Sequence, residues 1–375
     1  MRALKSIINI TKHRITSYSF AKHDCLIDRH VIVFESDDWG SIRMSNRRDW
    51  DELLRKGYSV DKRPYERYDT LESPEDLAAL FDVLRKHTDA KGNHPVITAN
   101  MLMANPDFER IKDAGYTEYY FEPISKTYGH YYGNTKVLDL MRQGLEEGVY
   151  MPQSHGREHF NVRQWLKGLQ SGNQDLLTAF QYCMCGIAPK LLPELGNQMM
   201  KALLAETDEE ERAVNSIVVE GLKMFELLWG FKSKTFVAPC YLWSTEIEKS
   251  LADNGVELLQ TARSSKPAYK TPSRYYYSGQ RNTFGQIYSV RNCRFEPATN
   301  DGGASLDALM KQVDEMFKKG KPCVFSTHRI NYVGGIDEGN RKRTLDLLDA
   351  FLKHLLQKYP DTEFLSSDQL IEVYK

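Results

Sequence analysis

The chain has 375 residues, 41% of them hydrophobic, and a formal net charge of −1 at pH 7. A chain of this size can bury a large core, either as one elaborated domain or as two small ones. Its near-neutral charge provides no overall field that would attract nucleic acid or an acidic membrane surface. No run approaches the roughly 20 apolar residues that a membrane span needs, and the start of the chain lacks the apolar run of a secretory signal.

The six cysteines are scattered along the chain and form no C-x-x-C pair. Several lie inside apolar runs, where a free cysteine packs as a small hydrophobic side chain. Since paired cysteines are typical of secreted proteins, this pattern predicts reduced thiols and a cytoplasmic protein.

Short apolar runs alternate along the chain with amphipathic helical patterns. Most of these runs are too continuous for strands with one side in water, so they predict strands that are covered on both faces. Alternation of this kind predicts an α/β fold, and the number of runs indicates an irregular (β/α) barrel of seven or eight parallel strands with helical insertions. The eight runs are Val31–Asp38, Val96–Met101, Val149–His155, Thr235–Tyr241, Val256–Ala262, Ile287–Asn292, Pro322–His328 and Thr362–Ser367.

Helix signals fall between these runs. Ser73–Asp76 combines a cap residue, a proline at the first helical position and acidic residues in the first turn. Leu77–Leu84 then follows the i, i+3, i+4, i+7 spacing of a buried helix face. Residues 163–230 predict a mostly helical insertion within a single domain that covers residues 1–375. The tyrosine-rich segment Tyr128–Gly133 is predicted to be a loop.

Polar side chains follow four of the predicted strands at the points where the strands end. Because the carboxyl ends of parallel strands meet on one face of a barrel, we expect these side chains to lie close together. In chain order they are Asp37, Asp38, His155, His159, Tyr241 and His328.

A metal ion explains the paired acids. Adjacent carboxylates such as Asp37 and Asp38 repel each other unless a cation or a proton separates them. A metal can bind one of them and leave the other beside it as a base. His155 and His159, four residues apart, are predicted to share one side of a helical turn. Two histidines and one carboxylate are a ligand set for a divalent transition metal, with positions left for water and substrate.

Each of these residues could instead have an ordinary structural role. An aspartate after a strand is often a helix cap, and a lone histidine is often a hydrogen-bonded structural residue. His328 has the same alternative, although an imidazole with a pKa near neutrality is also a natural proton carrier.

Four segments resemble the motifs of the polysaccharide deacetylases of carbohydrate esterase family 4. Those motifs are T-F-D-D-G, H-[ST]-x-x-H, the proline–tyrosine end of the third motif, and L-x-H. The family's order along the chain is kept. The matching segments are Glu35–Gly40, His155–His159, Phe236–Tyr241 and Ser326–His328.

This resemblance implies a metal-dependent hydrolase that removes N- or O-acetyl groups from a carbohydrate. Under it, Asp37 is the general base, His328 is the general acid, and the backbone N–H of Tyr241 helps to hold the oxyanion. It implies a divalent ion, Zn²⁺ or a similar metal, and the family's irregular barrel. The implied metal ligands are Asp38, His155 and His159.

The sequence also departs from the family pattern. Trp39 is inserted before the first-motif glycine, and Val237 or Ala238 occupies the place of the third-motif arginine that orients the base. Arg157 and Arg329 are candidates to replace that arginine and to contact the substrate. No segment matches the fourth motif, with its aspartate and tryptophan. Trp39 and Trp243 lie beside the motifs and are predicted to stack on the sugar.

Two other functions remain open from the sequence. A glycoside hydrolase would need two carboxylates facing each other across a sugar, and Asp37 and Asp38 are adjacent. A catalytically silent sugar-binding protein could keep the same barrel. If the protein is cytoplasmic, the substrate would be a precursor in surface polysaccharide synthesis. No partner other than a carbohydrate is indicated, and the oligomeric state is left open.

Overall fold

A computed structural model describes residues 2–186, 199–299 and 305–375. The helices are α1 (Arg2–Ala21), α2 (Arg47–Arg55), α3 (Pro64–Tyr68), α4 (Pro74–Arg85), α5 (Phe108–Asp113), α6 (Ile124–Tyr132), α7 (Lys136–Glu146), α8 (Val162–Gln170), α9 (Gln174–Gln181), α10 (Asp208–Trp229), α11 (Thr245–Asp253), α12 (Leu306–Phe317), α13 (Glu338–Lys358) and α14 (Leu370–Val373). The strands are β1 (Val31–Trp39), β2 (Ile97–Leu102), β3 (Ala104–Pro106), β4 (Phe121–Pro123), β5 (Tyr150–Gly156), β6 (Thr235–Val237), β7 (Leu258–Thr261), β8 (Ile287–Val290), β9 (Cys293–Arg294), β10 (Cys323–His328) and β11 (Glu363–Phe364).

A parallel sheet forms the centre of the molecule. Its strand order is β8-β7-β6-β5-β2-β1-β10-β9, and β11 also pairs with β1. The two ends of this order, β8 and β9, are separated along the chain only by Arg291 and Asn292. The N–H of Arg291 donates to the carbonyl of Thr261 in β7, and the N–H of Asn292 donates to the carbonyl of Val324 in β10. The sheet therefore curls round into an irregular (β/α) barrel, which confirms the predicted fold class.

Each of the eight apolar runs contains a strand of this sheet, as predicted. Their side chains are buried on both faces, in β1 along its whole length. The short antiparallel pair β3–β4 was not foreseen. It follows β2 directly, where the apolar run is too short to separate a second strand from the first.

Helix α4 begins as predicted. The Ser73 hydroxyl accepts from the N–H of Asp76, and the Asp76 carboxylate accepts from the N–H of Ser73. This reciprocal pair satisfies two of the N–H groups that a helix start leaves free. The helices α8, α9 and α10 lie between β5 and β6, and residues 187–198 of this stretch lie outside the described residues. Its status as an insertion within one domain stays a prediction.

The predicted tyrosine-rich loop is wrong, because Tyr128–Gly133 lies mostly in helix α6. Tyr128 is fully buried and its hydroxyl donates to Glu72. The hydroxyl of Tyr132 donates to the carbonyl of Leu71 at 2.8 Å. The tyrosines therefore anchor the helix to the barrel, and Gly133 ends it with a φ of 68°. That left-handed conformation is the usual glycine stop signal of a helix.

In the described ranges, no helix is both long enough and apolar enough to cross a membrane.

Helix α10 packs closely against the turn that follows β5. A Cβ atom added at Gly221 would lie 2.8 Å from the backbone nitrogen of Arg157 and 3.0 Å from the carbonyl carbon of Gly156. Backbone atoms cannot move aside as the end of a flexible side chain can. Gly221 is therefore required for this contact, which supports the segment between His155 and His159.

Gly221→Ala should lower the free energy of unfolding by about 1–3 kcal/mol, the usual effect of an added methyl group in a packed interior. Gly129→Ala in α6 is the matched control, since a Cβ there would meet no atom within 4 Å. That variant should gain about 0.5–1 kcal/mol from helix propensity. Chemical denaturation of both variants is the measurement. Equal stability changes would contradict the proposed contact.

Candidate active site and metal centre

A cleft of about 490 Å³ opens at the carboxyl ends of the barrel strands. β1, β5 and β10 end there, as does the segment that follows β6. Six side chains predicted from the strand ends line this cleft, so the expected convergence is present. They are Asp37, Asp38, His155, His159, Tyr241 and His328.

Asp38, His155 and His159 form the centre of the cleft. The Nε2 atoms of His155 and His159 lie 3.8 Å and 3.4 Å from Oδ1 of Asp38. One potential ligand atom from each residue lies within 4.8 Å of the other two. Oδ1 of Asp38 and Nε2 of His155 are buried and have no hydrogen-bond partner among the described residues. Since a buried, unpaired carboxylate oxygen is costly, this arrangement fits a cation held by the three side chains.

Neighbouring groups keep the three side chains in metal-binding form. Nδ1 of His155 donates to the carbonyl of Val237 at 2.7 Å, which leaves the lone pair on Nε2 free. Burial lowers the pKa of His159 to about 3, although the negative charge of Asp38 acts to raise it. This imidazole is therefore neutral at physiological pH. Burial alone would raise the pKa of Asp38. Electrostatic interactions with His159 and Arg43 outweigh it and hold that pKa well below its usual range.

The backbone around the ligands differs from the predicted helical turn. His155 lies in β5, and Gly156 ends that strand with a φ of 114°. Only glycine adopts this conformation without strain, which explains a glycine where the resembling family has a hydroxyl residue. The two imidazoles therefore meet across a turn. Asp38 itself has a φ of 75°, a left-handed conformation that costs a non-glycine residue about 1–3 kcal/mol.

Asp37 is held by an arginine that the sequence analysis missed. Nη1 and Nη2 of Arg291 donate to Oδ2 and Oδ1 of Asp37 at 2.6 and 2.7 Å. Asn100 donates to Oδ1 at 2.8 Å, and Nε of Arg291 donates to Glu35 at 2.7 Å. Burial alone would raise the pKa of Asp37, but Arg291 outweighs it and lowers that pKa to about 2. Asp37 is therefore an anion at any physiological pH.

Arg157 and Arg329, the predicted substitutes for the family's arginine, do not contact Asp37. Arg157 pairs with Glu158 at 2.7 Å and with Glu220. Arg329 is fully buried, and it pairs with Asp69 at 3.1 Å and with Glu72. Neither arginine lines the cleft, so their predicted contact with substrate is also wrong. Each arginine instead forms ion pairs with carboxylates that do not line the cleft.

His328 has a carboxylate partner. Its Nδ1 hydrogen-bonds to Glu296, whose other oxygen accepts from Asn331 at 2.8 Å. Its Nε2 lies 3.9 Å from Oδ2 of Asp37. Burial alone would lower the pKa of His328, but Glu296 and then Asp37 raise it to about 9. The imidazole is therefore protonated at neutral pH. Glu296 lies in none of the motif-like segments, and the sequence analysis missed it.

Tyr241 is placed differently from its predicted role. Its backbone N–H donates to the carbonyl of Ala238 at 2.9 Å and is not free for an oxyanion. Its hydroxyl lies 3.0 Å from Nη1 of Arg291, which donates to it. Cys240 and Tyr241 both have left-handed φ values, 58° and 52°, so a tight turn after β6 brings the phenol into the cleft.

The two tryptophans beside the motifs are core residues. Trp39 is 1% exposed and donates to the Ser36 hydroxyl at 2.9 Å. Trp243 is 4% exposed and donates to Glu248 at 2.8 Å. Neither lines the cleft, so the prediction that they stack on a sugar is wrong. The apolar and aromatic side chains that do line it include Ile42, Tyr65, Phe160, Met199 and Met200.

Comparison with known proteins gives only distant similarities. No protein-family model and no curated protein sequence matches the chain. Among solved structures, a 4-alpha-glucanotransferase from Thermococcus litoralis aligns with 92% of this chain at 9% identity and a TM-score of 0.46, and the chain spans 40% of its length. A protein assigned as a polysaccharide deacetylase from Mycobacterium smegmatis aligns with 92% of this chain and 90% of its own at 12% identity and a TM-score of 0.42.

A CE4 family pseudoenzyme from Bacillus anthracis aligns with 92% of this chain and 66% of its own, at 10% identity and a TM-score of 0.38. The neighbours thus include assigned deacetylases and a pseudoenzyme. At this level of similarity they assign no activity to the chain.

The purified protein should bind about one divalent ion per chain at the Asp38–His155–His159 group. His155→Ala should lose this ion, because it removes one of three ligands. Elemental analysis after dialysis, and the spectrum of added Co²⁺, are the measurements. His354→Ala, an exposed histidine on α13, is the matched control and should retain the ion. Equal ion content in both variants would place the metal elsewhere.

Proposed function

We propose that this protein is a metal-dependent hydrolase that removes N- or O-acetyl groups from a carbohydrate, with Zn²⁺ as the ion. The observation that supports it most is the juxtaposition in one cleft of three groups. A ligand triad with unpartnered buried atoms lies beside an arginine-bound carboxylate and a glutamate-bound histidine. Metal-assisted hydrolysis of an acyl bond uses these three capacities together: a Lewis acid, a general base and a general acid.

The ligand triad fits a borderline-soft divalent ion. Two imidazoles and one carboxylate are typical of catalytic zinc sites, which leave a coordination position open. When bound, such an ion supplies a Lewis acid that polarises an acyl carbonyl and makes water more acidic. Asp38, His155 and His159 hold it, and the hydrogen bond from His155 to Val237 fixes the orientation of that ring.

Asp37 is proposed as the general base. Arg291 and Asn100 fix the carboxylate so that it stays anionic and cannot rotate. A carboxylate with a pKa of about 2 is a weak base toward ordinary water. An ion that Asp38, His155 and His159 would hold would make water more acidic, and Asp37 would then be able to accept a proton from it.

His328 is proposed as the general acid. Glu296 holds Nδ1, so the proton to be delivered is on Nε2, which faces Asp37 across the cleft. The imidazolium is present at neutral pH because its pKa is about 9. It can therefore give a proton to the departing amine or alkoxide of the sugar.

The free thiols of the six cysteines support a cytoplasmic location, where the substrate would be a precursor of a surface polysaccharide.

Asp37→Asn should retain the metal and the fold but lower kcat by roughly 10²–10⁴-fold, the usual contribution of a general base. The measurement is acetate release from an acetylated amino sugar, together with metal content. Asp361→Asn, an exposed carboxylate, is the control and should keep full activity. If wild-type protein loaded with zinc releases acetate from no acetylated sugar but binds such sugars, the silent sugar-binding alternative replaces this proposal.

The pH dependence of the proposed reaction should depend on Glu296. A general acid is active below its pKa and is lost as the pH rises through it, so kcat/KM of the wild type should fall near pH 9. In Glu296→Gln the carboxylate charge is gone, and this limb should move down toward the ordinary histidine value of 6.5. The measurement is kcat/KM against pH at constant zinc saturation. Limbs at the same pH in both proteins would exclude His328 as the acid.

A further inference from the structure

The cleft is lined by more basic side chains than its catalytic groups require. Arg43, Arg63, Lys201 and Lys266 all reach it. Arg43 is committed to the site, because its Nη2 lies 3.6 Å from Oδ2 of Asp38. The other three are not: in the described part of the chain, no carboxylate oxygen lies within 4.0 Å of their charged nitrogens.

These three cations come from separate parts of the fold. Arg63 immediately precedes α3, and the ring of Tyr65 in the same helix lies 5.9 Å from that of His328. Lys201 and Lys266 lie on the wall formed by the turn after β6. Burial raises the pKa of the Cys240 thiol there, while the charges of Lys266 and Lys201 lower it. Separate segments that line the cleft therefore each contribute a cation that has no carboxylate partner among the described residues.

Acidic groups do not balance these charges. Apart from Asp37 and Asp38, Glu66 is the one acidic side chain among the described residues that line the cleft. Asp37 is already neutralised by Arg291, and Asp38 faces Arg43 and the ion site. A bound divalent ion would make the cleft more positive still. Such a concentration of one sign in a partly enclosed cleft raises the local concentration of anions.

The positive surface continues beyond the cleft. A neighbouring groove of about 390 Å³ shares Arg63 and Pro64 with it and is also lined by Arg67 and Arg343. The one acidic residue that lines this groove among the described residues, Asp61, pairs with Lys62 at 2.7 Å. A substrate that extends past the sugar at the ion site would meet cations again.

We infer that the substrate is an acylated sugar that carries a negatively charged substituent, a phosphate or a carboxylate, bound by Arg63, Lys201 and Lys266. This inference rests on the proposed function for the hydrolytic step. The apolar wall of Ile42 and Phe160 accommodates the sugar and acyl group, and the cations select the substituent. An uncharged sugar would leave Arg63 and Lys201, which are half-buried, and the exposed Lys266 without a partner, so it would gain no binding energy from them.

The test compares zinc-loaded enzyme on four substrates: N-acetylglucosamine, its 1-phosphate, its uridine diphosphate ester and N-acetylglucosaminuronic acid. We expect kcat/KM to be at least about tenfold higher for a charged sugar than for the neutral one, and the advantage to shrink at about 0.5 M salt. The double variant Lys201→Gln, Lys266→Gln and the single variant Arg63→Gln should raise KM for the charged sugar. Lys342→Gln, an exposed lysine on α13, is the matched control and should not. The preferred substrate distinguishes phosphate from carboxylate.

Binding to the Asp37→Asn variant, measured by calorimetry, separates the inference from the proposed function. Salt-dependent binding of a charged sugar that is lost in the lysine variants supports the inference even if no acetate is ever released. Acetate release with equal kcat/KM from neutral and charged sugars overturns the inference and leaves the hydrolase proposal intact. Equal binding of neutral and charged sugars also overturns it.

Discussion

The ion pair between Arg291 and Asp37 is the interaction on which the site depends. Arg291 lies between β8 and β9, at the point where the sheet closes on itself. Its guanidinium is almost fully buried and contacts Asp37, Glu35 and Gln260. A buried ion left without its partner costs about 3–5 kcal/mol, so the loss of either ion-pair partner would destabilise the whole group of contacts. Closure of the barrel and orientation of the proposed base are thus one structural event.

Charged neighbours shift the pKa values of the two proposed proton-transfer groups, Asp37 and His328, in opposite directions. Arg291 lowers the pKa of Asp37, whereas Glu296 raises that of His328. Asp37 is therefore deprotonated and His328 is protonated throughout the neutral pH range. Pairs of titratable groups whose pKa values are pushed apart in this way define an acid and a base. The ligand triad is adjacent to both, so no large movement is needed to bring the three functions together.

Much of this arrangement could be predicted from the sequence. Buried parallel strands are continuous apolar runs, so all eight runs marked real strands. Parallel strands also end on one face, so the polar residues at the ends of β1, β5 and β10 had to meet. The alternation of side chains along a strand was harder to use. Asp37 and Asp38 are successive residues that both line the cleft, because Asp38 has a left-handed φ of 75° and the register of β1 shifts between Ser36 and Trp39. Simple alternation therefore does not predict the burial of Trp39.

Arg291 and Glu296 could not be found in the same way. Neither belongs to a recognisable motif, and each acts on a residue more than 30 positions away along the chain. Their roles follow from the closure of the sheet at β8 and β9, which local patterns do not reveal. A charged residue near the end of the apolar run Ile287–Asn292 was the available signal for Arg291. The turn at Gly156 was likewise hidden, because i, i+4 spacing fits a helix equally well.

The strand pairing that closes the sheet next to Arg291 is short, and this affects which part of the protein would open first. β9 contributes only Cys293 and Arg294 to the pairing with β10, so few backbone hydrogen bonds hold this edge of the barrel. A local opening there would separate Arg291 from Asp37 while most of the core stayed packed. The carboxylate would then turn freely and regain an ordinary affinity for protons. Mild heat or denaturant would thus disrupt this site reversibly, under conditions milder than those that unfold the whole chain.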